Sequence, residues 1–141
     1  MHLICILFCL LILNGCDNQN ARTTQQYSTS CIQKIISKDT ALGKTRNHAC
    51  EDTTLSFAIQ EYVTGIRQLD FQQCPEAFTA AFAKHADAWM AALSVVDQYP
   101  NLRGEMHVLF DHLENGKDSI AFRPVVAKIW DTWAIVEGAM E

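Results

Sequence analysis

The sequence predicts an all-α fold: a small bundle of about four main helices plus a short N-terminal helix, closed by one disulfide. Three observations predict it. In the stretch that begins at Phe71, the residues Phe78, Phe82, His85, Trp89, Ala92 and Val96 recur at spacings of four, three, four, three and four, which is one face of a helix. Flanking segments repeat the same period. No segment alternates apolar and polar residues between hairpin turns, as strands would require.

The elements follow in order. Cys31, Ile32, Ile35 and Ile36 make a short amphipathic helix, with Ser28, Thr29 or Ser30 available as its cap. Asp39 to Asp52 carries Gly43, Asn47 and several charges and reads as a loop. A helix is expected from about Thr54 to Leu69, with Leu55, Ile59, Tyr62, Val63, Ile66 and Leu69 on its apolar side. Gly65 in its middle costs about 1 kcal/mol relative to alanine, so it marks a close approach of two helices. The central helix is expected from Pro75, at the first helical position, to about Gln98. Asn101 is placed to cap a further helix bearing Leu102, Met106, Leu109, Phe110 and Leu113, which Asn115-Gly116 stops. The last helix shows Val126, Ile129, Trp130, Trp133 and Val136 on one stripe, and Pro124 either opens or kinks it.

With 141 residues and 49% hydrophobic positions, the chain suits one compact domain. A net charge of -5 argues against nucleic acid as a partner. The charge is uneven, +3 over residues 17–50 and -8 over residues 51–141. The basic part adjoins the expected membrane anchor, where cations are favoured over anionic headgroups.

Leu3 to Leu13 is an uncharged, almost wholly apolar run. It is too short for a bilayer span, which needs about 20 residues, and it matches the apolar region of a secretory signal peptide. Leu13-Asn14-Gly15-Cys16 follows, and this resembles the lipobox of bacterial lipoproteins. The resemblance covers residues 1–17. It implies cleavage behind Gly15 and diacylation of the Cys16 thiol, which becomes the new N-terminus. The n-region departs from the pattern, since His2 is its sole cationic candidate. Asp17 after the cysteine favours inner-membrane retention in some Gram-negative bacteria. The expected organisation is therefore residues 1–15 as signal peptide, 16–30 as lipidated cysteine and flexible tether, and 31–141 as the helical domain. The tether is read from its Asn, Gln, Thr and Ser content, which cannot bury a core. The expected location is the bacterial envelope, lipid-anchored to the inner or outer membrane and facing the periplasm.

Cys31, Cys50 and Cys74 then remain in an oxidising compartment, where one pair closes and one thiol is left over. Cys74, at the entrance to the central helix, is the favoured member, and a bridge to Cys31 would staple the N-terminal helix to the bundle. A reactive Cys74 is the competing reading, since a helix N-terminus lowers a thiol pKa. His48 beside Cys50 hints at a Cys/His pair.

No catalytic constellation is assembled, and no cofactor or metal is expected. His-Glu-x-x-His, a phosphate-binding glycine loop and a Gly-x-Ser-x-Gly elbow are absent. His107 and Asp111 share a helix face at a spacing that can clamp a metal, but that face is the solvated one. His85 lies one turn from Phe82 and from Trp89, which reads first as a packed core histidine and second as a pocket group. Phe82, His85, Trp89, Trp130 and Trp133 together form the candidate binding groove, between the central and last helices.

The expected function is a membrane-anchored helical binding module with an envelope protein as partner. The alternative is a metal-dependent or thiol-based envelope enzyme using His85, His107, Asp111 or Cys74. A further alternative comes from Tyr62-Val-Thr-Gly-Ile66 and Cys74-Pro75, which are faintly similar to a pattern in small exported helical proteins that neutralise peptidoglycan-degrading effectors. The resemblance covers about 15 residues and lacks that family's paired cysteines; it implies an immunity-type role and assigns no residue.

Overall fold

The computed structural model describes residues 15–141, with side chains described at Arg22 and from Gln25 onward. The apolar run Leu3 to Leu13 lies outside the described residues. Among them the architecture is all-helical with no strand. Five helices, α1 Gly15–Asp52, α2 Leu55–Arg67, α3 Glu76–Ala91, α5 Met106–Asn115 and α6 Ser119–Gly138, are joined by a single turn, α4 Leu93–Val96.

The N-terminal element is where the structure departs most from expectation. It is neither short nor followed by a loop: α1 runs for 38 residues, about 57 Å at 1.5 Å per residue. Residues 39–52 are helical because Cys31, Ile35, Asp39, Leu42, Arg46 and Cys50 fall on one stripe, and that stripe is the buried or half-buried one. Two of its positions are charged, which hides the period from a hydrophobicity count. Residues 16–30 are likewise helical rather than a flexible tether, although Arg22 and Gln25 to Tyr27 are exposed there. Threonine hydroxyls along this helix bond back to the preceding turn, Thr29 to the Gln25 carbonyl at 3.0 Å and Thr40 to that of Ile36 at 2.9 Å. Their polarity is absorbed by the helix itself.

Thr54 caps α2, its Oγ1 accepting from the Phe57 amide at 3.2 Å. The α1–α2 turn is stitched to the loop before α5, with Leu55 N–H donating to the Leu102 carbonyl at 2.9 Å and Gly104 N–H to that of Cys50 at 2.8 Å. Leu102 thus belongs to this loop and not to α5. The cap of α5 is Glu105, whose carboxylate accepts from the Val108 amide at 2.9 Å, in place of Asn101. Gly116 ends α5 as expected, with extended rather than left-handed backbone; a Cβ there would stand 2.8 Å from the His112 carbonyl oxygen.

Pro75 is the residue before α3 rather than its first. The central helix breaks at Ala92, whose N–H reaches the Trp89 carbonyl at 3.1 Å, a tightened turn, and α4 carries Val95 and Val96 back into the core. Pro124 lies inside α6, in its second turn.

The packing puts α3 at the centre, against α6 on one side and α2 on the other, while α1 covers α2 and touches α5. Phe78, Phe82, Ala92 and Val96 of the expected α3 stripe are fully buried. Phe78 and Phe82 pack edge to face at 5.2 Å, and each such buried ring contributes about 2–3 kcal/mol by removal from water. A Cys31–Cys74 disulfide joins α1 to the entrance of α3. Its sulfurs form the expected staple, and Cys74 is therefore not a free thiol. Cys50 is the remaining cysteine of the domain and is buried.

Candidate functional site

Between α1, α2, α3 and α6 opens a cleft of about 160 Å³. Its floor is built by α3. His85 and Trp89, one turn apart, point the same way, and the Trp89 indole N–H donates to His85 Nε2 at 3.1 Å. The opposite ring nitrogen of His85, Nδ1, lies 3.1 Å from the Thr132 hydroxyl, which itself donates to the Lys128 carbonyl at 2.8 Å. An accepting Nε2 leaves the proton on Nδ1, so His85 is the neutral tautomer donating to Thr132. Burial, with help from the nearby Arg46 charge, holds its pKa down to about 4. Both ring nitrogens are committed, and His85 acts as a rivet between α3 and α6 with no lone pair to offer a substrate.

The walls come from α1 and α2. The Arg46 guanidinium lies 3.8 Å from the centre of the Trp89 ring and 4.4 Å from that of Tyr62. Cation–π contacts of this kind are worth about 0.5–2 kcal/mol each. Tyr62 donates its hydroxyl to Asp39 Oδ1 at 2.6 Å. Burial raises the Asp39 pKa, against the lowering effects of the Tyr62 hydrogen bond and the Arg46 charge. Burial lowers that of Arg46, against the neighbouring Tyr62 and Asp39. Tyr62 is raised, first by burial and then by Asp39, and stays a neutral phenol. Ile129, Trp130 and Trp133 of α6 complete the rim, with Gly43 and Thr40 on the α1 side.

Of the five residues expected in the groove, His85, Trp89, Trp130 and Trp133 line this cleft. Phe82 does not: it is fully buried behind them, edge-on to His85 and to Trp133. Trp130 also corrects the reading of α6, since it is 66% exposed and Thr132 takes the inward position beside it. Asp39, Arg46 and Tyr62 were not among the expected groove residues. The signal for the first two was their seven-residue separation on the α1 stripe, which returns to the same helix face.

The other candidates lie apart from the cleft. His107 and Asp111 are exposed; Nδ1 of His107 lies 2.6 Å from Glu105, and Asp111 Oδ1 accepts from the Asn115 side chain. Among the described residues, no three His, Cys, Asp or Glu side chains gather in a group that could hold a metal ion. The Cys50 thiol is directed at the Arg46 carbonyl at 3.2 Å, and burial pushes its pKa up to about 11. His48 is exposed on α1. No helix among the described residues is long and apolar enough to cross a membrane.

Comparison with known proteins gives no matching family model, no matching curated protein and no matching solved structure.

Proposed function

We propose that the chain is a lipid-anchored binding module of the bacterial envelope, facing the periplasm, whose cleft between α1, α3 and α6 engages its partner. The observation that carries this reading is the cleft itself. It is open to solvent, walled by three tryptophans and a tyrosine, and it holds a buried carboxylate and a half-buried guanidinium. Burying charges costs stability unless they are compensated, so their retention in a cleft marks a site of recognition. Aromatic and arginine side chains are also those that dominate binding energy where surfaces meet. The anchor rests on Leu13-Asn14-Gly15-Cys16 and the apolar run before it. The Cys31–Cys74 disulfide is in keeping with an oxidising compartment.

Fractionation of a Gram-negative host expressing the full chain tests the anchor. Wild-type protein is expected in the membrane fraction with a diacylglyceryl mass increment, and Cys16→Ser is expected to release it. Affinity capture from solubilised envelopes tests the cleft, with Trp130→Ala expected to lose the partner. A chain recovered unprocessed from the cytosol, or a captured set that is the same with and without Trp130, sinks the proposal.

A further inference from the structure

Asp39 is buried and Arg46 half-buried on α1, yet they do not form an ion pair with each other. The ion pairs among the described residues are Arg67–Asp87 and His107–Glu105, neither of them in the cleft. Seven residues along a helix separate the two by about 10 Å of rise, and Tyr62 fills the gap. Its hydroxyl holds Asp39 Oδ1 at 2.6 Å while its ring faces the guanidinium at 4.4 Å. Arg46 Nε and Nη2 both donate to Asn47 Oδ1, at 3.2 and 3.0 Å, and the guanidinium also hydrogen-bonds Tyr62, which still leaves part of its five N–H donors unused among the described residues. Asp39 is only 9% exposed and receives a hydrogen bond on one of its two oxygens. The cleft is therefore lined by a carboxylate with one oxygen unused and by a guanidinium with N–H donors to spare, both held by Tyr62 under an aromatic rim.

That arrangement is the complement of a small zwitterion. A carboxylate meets the guanidinium through charge-assisted hydrogen bonds, and an ammonium meets the carboxylate with aromatic faces beside it. The cleft is small, about 160 Å³, below the usual range of drug-sized ligand pockets, and suits a ligand of amino-acid size. We propose that the cleft is a receptor site for a free α-amino acid, its carboxylate on Arg46, its ammonium on Asp39, and its side chain against Trp130 and Trp133. This rests on reading the cleft as the binding site, and it names the ligand class for that site.

Tryptophan fluorescence and calorimetry on the full chain test it, because Trp89, Trp130 and Trp133 all border the site. L-leucine, as first probe from the twenty free amino acids, is expected to give a saturable change. Leucinamide, which lacks the carboxylate, and 4-methylpentanoate, which lacks the ammonium, should each bind at least tenfold more weakly. Arg46→Gln should erase the preference for leucine over leucinamide, and Asp39→Asn that over 4-methylpentanoate. Trp130→Ala, at an exposed position that cannot unfold the core, should weaken leucine binding severalfold. Equal binding of 4-methylpentanoate and leucine would leave Asp39 idle and overturn the assignment, as would silence from all twenty amino acids. If the envelope partner is still captured through Trp130 in that case, the binding module stands and only the ligand class falls.

Discussion

His85 is the residue whose chemistry the fold constrains most tightly. Its imidazole is buried, neutral and shared between Trp89 and Thr132, and its pKa lies near 4 against an ordinary value of 6.5. Between those two pH values the unfolded chain takes up a proton that the folded chain refuses, so stability rises with pH across that window and is lost as pH falls through it. The loss is at most about 3 kcal/mol, since each pKa step is worth about 1.4 kcal/mol. Asp39 acts in the opposite sense: its raised pKa lets the folded state hold a proton that the unfolded state has released, which offsets part of the loss at the acid end. Urea unfolding at pH 7 and pH 4.5 is expected to show the wild-type loss, and His85→Leu should flatten it. A wild-type midpoint unchanged between the two would show that the imidazole is not held neutral. Cys50, buried with its pKa near 11, should resist iodoacetamide in the native protein and react on unfolding. Rapid native labelling would contradict its placement.

At the scale of helices, the contact between α1 and α2 turns on Gly65. A Cβ built there would stand 2.7 Å from one methyl of Leu42, a flexible tip that can give way. Gly65→Ala should therefore be near neutral, the gain in helix propensity of about 1 kcal/mol offsetting the displaced methyl. Gly65→Leu has no such room and should cost about 1–3 kcal/mol, read as a lowered urea midpoint. A stable leucine variant would mean that the two helices stand further apart. The expectation of a close approach at Gly65 came from sequence alone, and α2, α3 and the core stripe of α3 were legible in the same way, because their buried positions are plainly apolar. The C-terminal half of α1 was not. Asp39 and Arg46 interrupt its apolar stripe, and Gly43 and Asn47 mimic loop composition, so a period that rests on side-chain geometry was invisible to a hydrophobicity pattern. The site was half legible for the same reason: its tryptophans and histidine lie on α3 and α6, and its charges on the helix that looked like a loop. Trp130 and Thr132 were exchanged in expectation because hydrophobicity ranks tryptophan inside, while the hydroxyl of Thr132 is wanted by His85.

For the whole molecule, the covalent link matters most. The Cys31–Cys74 bridge closes a loop of 43 residues in sequence, and a loop of that length is worth about 3–4 kcal/mol in the chain-entropy account. The Cys31→Ser/Cys74→Ser double variant should lose that much in urea unfolding. It should also exchange amide hydrogens faster along α1 before residue 31, where the described side chains, Arg22 and Gln25 to Ser30, are exposed or half-buried. A double variant as stable as wild type, with α1 equally protected, would show that packing alone secures the N-terminal helix.

The position of that bridge on α1 has a mechanical consequence. Asp39, Gly43 and Arg46 ride on the same rod whose far end leads toward Cys16, so any pull or twist applied near the N-terminus travels down the helix toward the cleft. Cys31 lies on that line of force ahead of Asp39, and its bond passes the load sideways into the start of α3. A bond at that point is placed to act as a strain relief, so that the cleft would keep its shape if the far end of the rod were pulled.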